Sequence, residues 1–409
     1  MEFNTKLLHG RAVTPYPNGA TLPPIAQSNA FQYESFEQLE QVFAHKAMGF
    51  AYSRIGNPTV AAFEQRVAEL EGGAGAVATS SGMAALSMAL LCILSPGDEI
   101  IAGSGSYGGT IDLFGNLEKL GITTRFVHEL TAAEIAPLIT PRTRVIFGEL
   151  ISNPSLRVMD VAAVAELAHA HGLPLLVDST TATPYLATSL ALGADIVVHS
   201  SSKYISGSGD AISGIIVDGG KFPWNFSVHT ALQGFEKYRK MAFLTRLRTD
   251  LWENFGGCLA PMNAFLGVVG LETLGLRMDR ICENAAALAA ALDRAGVSEV
   301  CHPSLPQHPA HDLCIRQFRG RGGGILTFRA GSRDRAAAIL NRLEYAAIAS
   351  NVGDVRTLVI HPASTIAMKN TEAQRQAAGI YDDTIRVSVG IEDPADLIKD
   401  FLQAVGGAD

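Results

Sequence analysis

The stretch RVIFGELISNPSLRVMDVAAVAELAHAHGLPLLVDSTTATPYLATSLALGADIVVHSSSKYISG, from Arg144 to Gly207, alternates between two textures. RVIFGEL, LPLLVD and DIVVHS are short apolar runs bounded by turn residues, and they read as buried strands. Between the first two, apolar residues recur at helical spacing near 160–171. Strand followed by helix followed by strand makes βαβ units and a mostly parallel sheet covered on both faces. The alternation extends back through AVATS, MAALSMALLCIL, EIIAG, a helix near 110–120, ITTRFVH and a helix near 131–139, and forward to ISGIIVD. The fold class is therefore α/β. In such sheets ligands sit beyond the carboxyl ends of the strands, so the residues that follow each strand are the candidates for chemistry.

Outside this core the texture changes. Residues 1–57 carry Pro15, Pro17, Pro23 and Pro24 without a sustained period, which suggests an arm that needs another surface to lie on. At Asn57-Pro58 a cap and a first-turn proline open a helix, with Val60, Phe63, Val67 and Leu70 on one face and Gly72-Gly73 at its end. Residues 58–255 form the large domain in this reading. A helical stretch near 240–295 leads into a smaller α+β domain, 256–409, with strands ILTFRA, TLVIHP and TIRVSVG and helices near 333–344 and 394–404.

Composition excludes several classes. The 409 residues are 47% apolar and only 18% charged, against about 25% charged in ordinary soluble chains, so a buried subunit interface is expected. The formal charge of -8 is the wrong sign for nucleic acid. The longest apolar run, Met83–Leu94, is shorter than the ~20 residues that span a bilayer and reads as a buried helix. MEFNTKLLHG lacks the apolar region of a secretion signal, so a cytoplasmic location without membrane attachment is expected. The five cysteines form no CxxC pair, which argues against a metal site or a disulfide framework.

Three motifs compete for the chemistry. Gly103 to Gly108 spells GxGxxG after a strand, with Glu129 further on, as in a dinucleotide fingerprint, but it would open the third βα unit rather than the first. Ser200 to Lys203 spells SxxK without the SDN and KTG strings of penicillin-recognising enzymes. Lys203 can instead be read as an amine at the carboxyl edge of the sheet, placed to form a Schiff base with a carbonyl cofactor, or as a solvated surface lysine. Asp178 ends the strand LPLLVD, where it can pair with a protonated ring nitrogen or simply cap the turn at Ser179-Thr180. Ser81, Gly82 and Met83 open a helix whose free N–H groups suit a phosphate, and Ser200 and Ser202 can add hydroxyls. Lysine, aspartate and phosphate donors at separate strand ends form the set that pyridoxal phosphate requires.

The strings YSRIGNPT, SSGMAAL, SYGGT, LLVDSTTATP and HSSSKYISG, in this order and spacing, resemble the Cys/Met-metabolism family of pyridoxal phosphate enzymes over nearly the whole chain. Within the family, GIIVDGGKFPW, APMNAFLGVVGLETLGLRMDR and SNVGDVRTLVIHPAST are similar to the O-acetylhomoserine sulfhydrylases. Methionine γ-lyases typically have cysteine where Gly109 stands, and they and the cystathionine enzymes have serine where Asn351 stands. The resemblance implies a fold-type I transferase with pyridoxal 5'-phosphate on Lys203, Asp178 at the pyridine nitrogen, Tyr107 stacked on the ring and Asn153 at its phenolic oxygen. It puts Ser81, Gly82, Met83, Thr180, Ser200 and Ser202 in the cofactor-binding set. Tyr52 and Arg54 would reach the phosphate of a neighbouring subunit in a homo-oligomer, a dimer of dimers, with Tyr52 also near substrate. Arg386 and Asn351 would clamp the substrate carboxylate.

The implied reaction is γ-replacement on O-acetyl-L-homoserine by sulfide to give homocysteine, catalysed by Lys203 and Tyr107. The alternatives are γ-elimination of the lyase type, replacement by another thiol or a carbon nucleophile, and, in a different class, a nicotinamide oxidoreductase. Ser208 and Ala367 stand where histidines are common, and the segment between Trp224 and Leu244 is short for a sulfhydrylase. These departures bear on the second substrate rather than on the cofactor.

Overall fold

The helix expected after Asn57 runs Pro58–Glu71 in the computed structural model, which describes residues 1–11, 16–44 and 46–407; Pro15 of the arm lies outside them. Asn57 Oδ1 accepts the otherwise unpaired N–H groups of Thr59 at 2.9 Å and Val60 at 3.4 Å, a cap worth about 1 kcal/mol. Gly72 ends the helix in the left-handed conformation, φ 73°. Val60, Phe63, Val67 and Leu70 are all buried in the largest apolar core. The arm behaves differently. Its helix Phe36–Phe43 buries no residue, and Phe36 and Phe43 are 73% and 59% exposed.

Seven strands form the first sheet: β1 Gly75–Thr79, β2 Glu99–Gly103, β3 Thr123–Val127, β4 Thr143–Glu149, β5 Leu175–Asp178, β6 Ile196–His199 and β7 Gly214–Asp218. Their order is β1-β7-β6-β5-β4-β2-β3, and only β7 runs antiparallel to its neighbours. β2 and β7 are buried at every position, as continuous apolar runs covered on both faces must be. The helix after β1, Gly82–Leu91, stops three residues before the expected Leu94 because Pro96 disfavours helical backbone before it. The helix expected near 131–139 is a turn, Ala132–Ile135, followed by a 3-10 turn, Ala136–Leu138, since Pro137 removes the N–H that would continue it. Among the described residues no helix is long and apolar enough to cross a membrane.

The helical stretch expected near 240–295 is broken. Ala242–Arg246 passes through a wide π turn, Leu247–Trp252, to Gly256, and helices Pro261–Glu272 and Leu274–Arg294 follow. Trp252 Nε1 donates to the Ala78 carbonyl at 2.8 Å, and the Arg248 guanidinium lies 4.7 Å from the Trp252 ring centre, which fastens this segment to β1. The long helix then packs Met278, Ile281 and Cys282 into the first core and Leu288, Ala289 and Leu292 into a second.

That second core covers a five-stranded sheet made from β8 Ser298–Cys301, β9 Ile325–Arg329, β10 Ala347–Ile348, β11 Leu358–Ile360 and β12 Thr384–Ser388, in the order β10-β11-β12-β9-β8. β8 and β10 are short and largely exposed, so no apolar alternation marks them in the sequence. β12 is central and buried throughout, with Arg386 in its middle.

Candidate active site

Five strand ends of the first sheet converge on one cavity of about 270 Å³, closed on the other side by Ser350, Asn351, Val352 and Arg386. After β1, Ser81 caps the Gly82–Leu91 helix through its hydroxyl, which accepts from Ala84 N at 3.1 Å and leaves the N–H groups of Gly82 and Met83 at a helix N-terminus. Gly82 is required by close approach, since a Cβ there would lie 2.5 Å from Ser200 Cβ. Ser200 and Ser202 face each other with their hydroxyl oxygens 3.0 Å apart. Thr180 joins the two neighbouring strand ends: its N–H donates to Asp178 Oδ1 at 2.9 Å, and its hydroxyl accepts from Ser200 N at 2.8 Å.

Lys203 follows directly. Its Nζ donates to Asn351 Oδ1 at 2.5 Å. Burial first, and then the positive charge of Arg386, lowers the lysine below its ordinary value, so its neutral amine is more available. Arg386 is 2% exposed and has no carboxylate partner among the described residues. It donates to the Asn351 carbonyl at 2.8 Å and to Asn153 Oδ1 at 3.4 Å, while its buried Nε has no acceptor among the described residues. Burial pulls its guanidinium down to about 10, which still leaves it cationic at neutral pH. A buried cation with a spare donor edge is suited to a carboxylate brought in by a ligand.

At the other end, Asp178 and Glu149 are register partners on β5 and β4 and both line the cavity. Glu149 accepts from Tyr107 N at 2.6 Å and from Asn153 N at 3.3 Å. No lysine or arginine forms an ion pair with either carboxylate among the described residues. Burial raises both, and the charge of Asp178 raises Glu149 further. Sequence reasoning missed Glu149, although it ends the strand RVIFGEL just as Asp178 ends LPLLVD, and the same rule of inspecting strand ends could have found it.

Of the residues singled out from the sequence, Ser81, Gly82, Met83, Tyr107, Asn153, Asp178, Thr180, Ser200, Ser202, Lys203, Asn351 and Arg386 line this cavity. Tyr52 and Arg54 do not. Arg54 donates to the Glu253 carbonyl at 2.6 Å with its guanidinium 5.5 Å from the Tyr52 ring centre, and Tyr52 is 41% exposed. The glycine run after β2 opens the helix Gly108–Glu118 and presents Tyr107 to the cavity, while Glu129 is held by Arg157 at 3.1 Å. Ser208 is exposed, and Ala367 lines an adjoining pocket of about 200 Å³ that shares Ile366 with the main cavity. A Cβ on Gly109 would approach Tyr107 Cε1 to 2.6 Å, so the glycine leaves room for the tyrosine ring in this position.

The model of the family described as "Cys/Met metabolism PLP-dependent enzyme" matches residues 4–406. This chain belongs to that family. Its PLP-dependent relatives include a homocysteine synthase of Schizosaccharomyces pombe, 39% identical with 98% of each chain covered. An O-acetyl-L-homoserine sulfhydrylase of Corynebacterium glutamicum is also 39% identical, over 98% of this chain and 95% of its own. Among solved structures, a putative O-acetylhomoserine (thiol)-lyase of Campylobacter jejuni superposes with a TM-score of 0.93 at 32% identity, covering 99% of this chain and all of its own, and contains a pyridoxyl-lysine-phosphate residue.

The cavity fits the PLP of this family on its own chemistry. It offers an amine of lowered basicity, a buried pair of carboxylates with no lysine or arginine paired to them among the described residues, and a helix N-terminus with two hydroxyls in a cradle that a Cβ on Gly82 would fill.

Proposed function

We propose that this enzyme replaces the acetoxy group of O-acetyl-L-homoserine with sulfide, giving L-homocysteine and acetate. The observation that carries the reading is the buried Arg386, without a carboxylate partner among the described residues and joined to Lys203 through one residue, Asn351, which suits an α-amino acid whose Cα lies beside the amine. The activities named for relatives that match almost end to end support the choice of substrate.

In this reading Arg386 binds the α-carboxylate through its free edge. Lys203 Nζ takes the proton from Cα and then one from Cβ, a role that its lowered basicity favours. Bound pyridoxal phosphate supplies the electron sink for charge developing at Cα. Asp178 keeps the proton on the ring nitrogen, because an adjacent negative charge favours the cationic form. Tyr107 assists the leaving acetate as the Cγ–O bond breaks. A Cγ–S bond then forms and the abstracted protons return to Cβ and Cα.

The test is product analysis with O-acetylhomoserine, with and without sulfide. Homocysteine is expected only with sulfide, and 2-oxobutanoate formed at one rate under both conditions would turn the assignment to γ-elimination.

Tyr52 and Arg54 serve the cofactor phosphate of a neighbouring copy in this proposal. Their position outside their own cavity and the uncovered Phe36–Phe43 helix support that arrangement. Arg54→Ala and Lys203→Ala, each inactive alone, are expected to regain activity when co-assembled, since a mixed pair holds one intact site. Co-assembled protein no more active than either variant sinks the shared-site arrangement.

A further inference from the structure

Glu149 has no part in the chemistry above, yet its surroundings are unusual. It is buried, it stands in register with Asp178, and each of its oxygens holds a main-chain N–H from a different cavity segment. The two segments are those that present Tyr107 and Asn153. We propose that Glu149 is a positioning residue for the cofactor: it fastens the chain behind Tyr107 and Asn153 to the end of β4 and adds a second negative charge beside Asp178. The inference rests on the assignment of Asp178 and Lys203 to the cofactor.

The physical argument is one of charge balance. Two buried carboxylates side by side, with no lysine or arginine paired to either among the described residues, disfavour each other's ionised form, and a proton-bearing ring nitrogen arriving beside them supplies positive charge. Few other charges compete. Around Glu149 stand Asp178 on β5, His199 on β6 in a 2.8 Å hydrogen bond with Glu71, and Lys203, Arg386 and the Tyr107 phenol elsewhere in the cavity. Behind β4 are Arg157, His128 and Glu129, with Arg157 already engaged by Glu129 and by the His128 and Ala377 carbonyls. An ionised Glu149 therefore raises the pH at which the resting cofactor linked to Lys203 gives up its proton.

The experiment is a pH titration of the cofactor's visible band in resting holoenzyme without substrate, together with the rate of cofactor loss on dialysis. Glu149→Gln removes the charge and is expected to lower the titration midpoint by about half a unit to two units. Glu149→Asp keeps the charge but is one methylene too short to reach both N–H groups, so the midpoint should hold while cofactor is lost faster. A Glu149→Gln midpoint equal to wild type overturns the charge role. If Glu149→Gln yields no folded protein, Glu149→Asp decides: cofactor held as tightly as in wild type overturns the clamp. Asp178→Asn is the control on the underlying assignment. If it leaves the band and its titration untouched, the cofactor assignment itself has failed; if it perturbs them while both Glu149 variants behave as wild type, only the present inference has.

Discussion

Lys203→Ala is expected to lower kcat for O-acetylhomoserine by at least ~10³-fold, because in the proposed mechanism one amine both carries the cofactor and moves the substrate protons, and a positioned base alone contributes on the order of 10²–10⁴-fold. Among the described residues Lys203 is the only lysine lining the cavity, so no neighbouring amine can replace it. Borohydride treatment should fix cofactor mass at position 203 in wild type and nowhere in the variant. The fold should survive, since Lys203 is a partly buried amine whose desolvation the substitution relieves. Turnover within tenfold of wild type by a well-folded Lys203→Ala protein would remove this lysine from the mechanism.

Arg386→Leu is expected to raise KM for the amino acid by about 10²–10³-fold, the loss that follows when one partner of a desolvated, hydrogen-bonded charge pair is truncated, about 2–5 kcal/mol. Arg386→Lys keeps the charge without the planar fork and should fall between the two. Stability should move little. Leucine removes a buried cation that has no carboxylate partner among the described residues, but it strands the Asn351 carbonyl that Arg386 now satisfies, and these changes oppose each other within roughly 1–2 kcal/mol. KM against kcat and the thermal midpoint, measured on the same preparations, separate binding from folding. A KM that stays put in Arg386→Leu would show that the substrate carboxylate binds elsewhere.

Much of this site is legible in the sequence alone. Asp178, Lys203 and Ser81–Met83 follow strand runs whose apolar composition is unmistakable, and the rule that ligands gather at the carboxyl ends of parallel strands selects them without a fold in hand. Tyr107, Asn153, Asn351 and Arg386 do not stand out that way, although Tyr107 and Asn153 also follow strand ends. Two sit in turns whose composition resembles any glycine- or proline-rich loop, and the other two come from beyond residue 350, where local texture says nothing of proximity to β5. Family resemblance supplied them instead. Glu149 stands at a strand end as Asp178 does and was within reach of the same rule, but only its neighbours in the fold show that it is buried rather than a solvated terminus. The breaks at Leu91, Pro137 and Gly256 shortened expected helices for local reasons, a proline or a glycine too near the end of an apolar run.

The sequence by itself determined the α/β class, the succession of strands and the residues at their ends, because periodicity and turn chemistry are local properties of a chain. The tertiary structure alone decided which of those residues share a cavity and in what electrical state. The bond from Lys203 to Asn351 spans 148 positions, and the Arg386 contact with Asn153 spans 233. The lowered basicity of the lysine and the raised carboxylates of Glu149 and Asp178 exist only once folding has removed water from around them and set charges side by side.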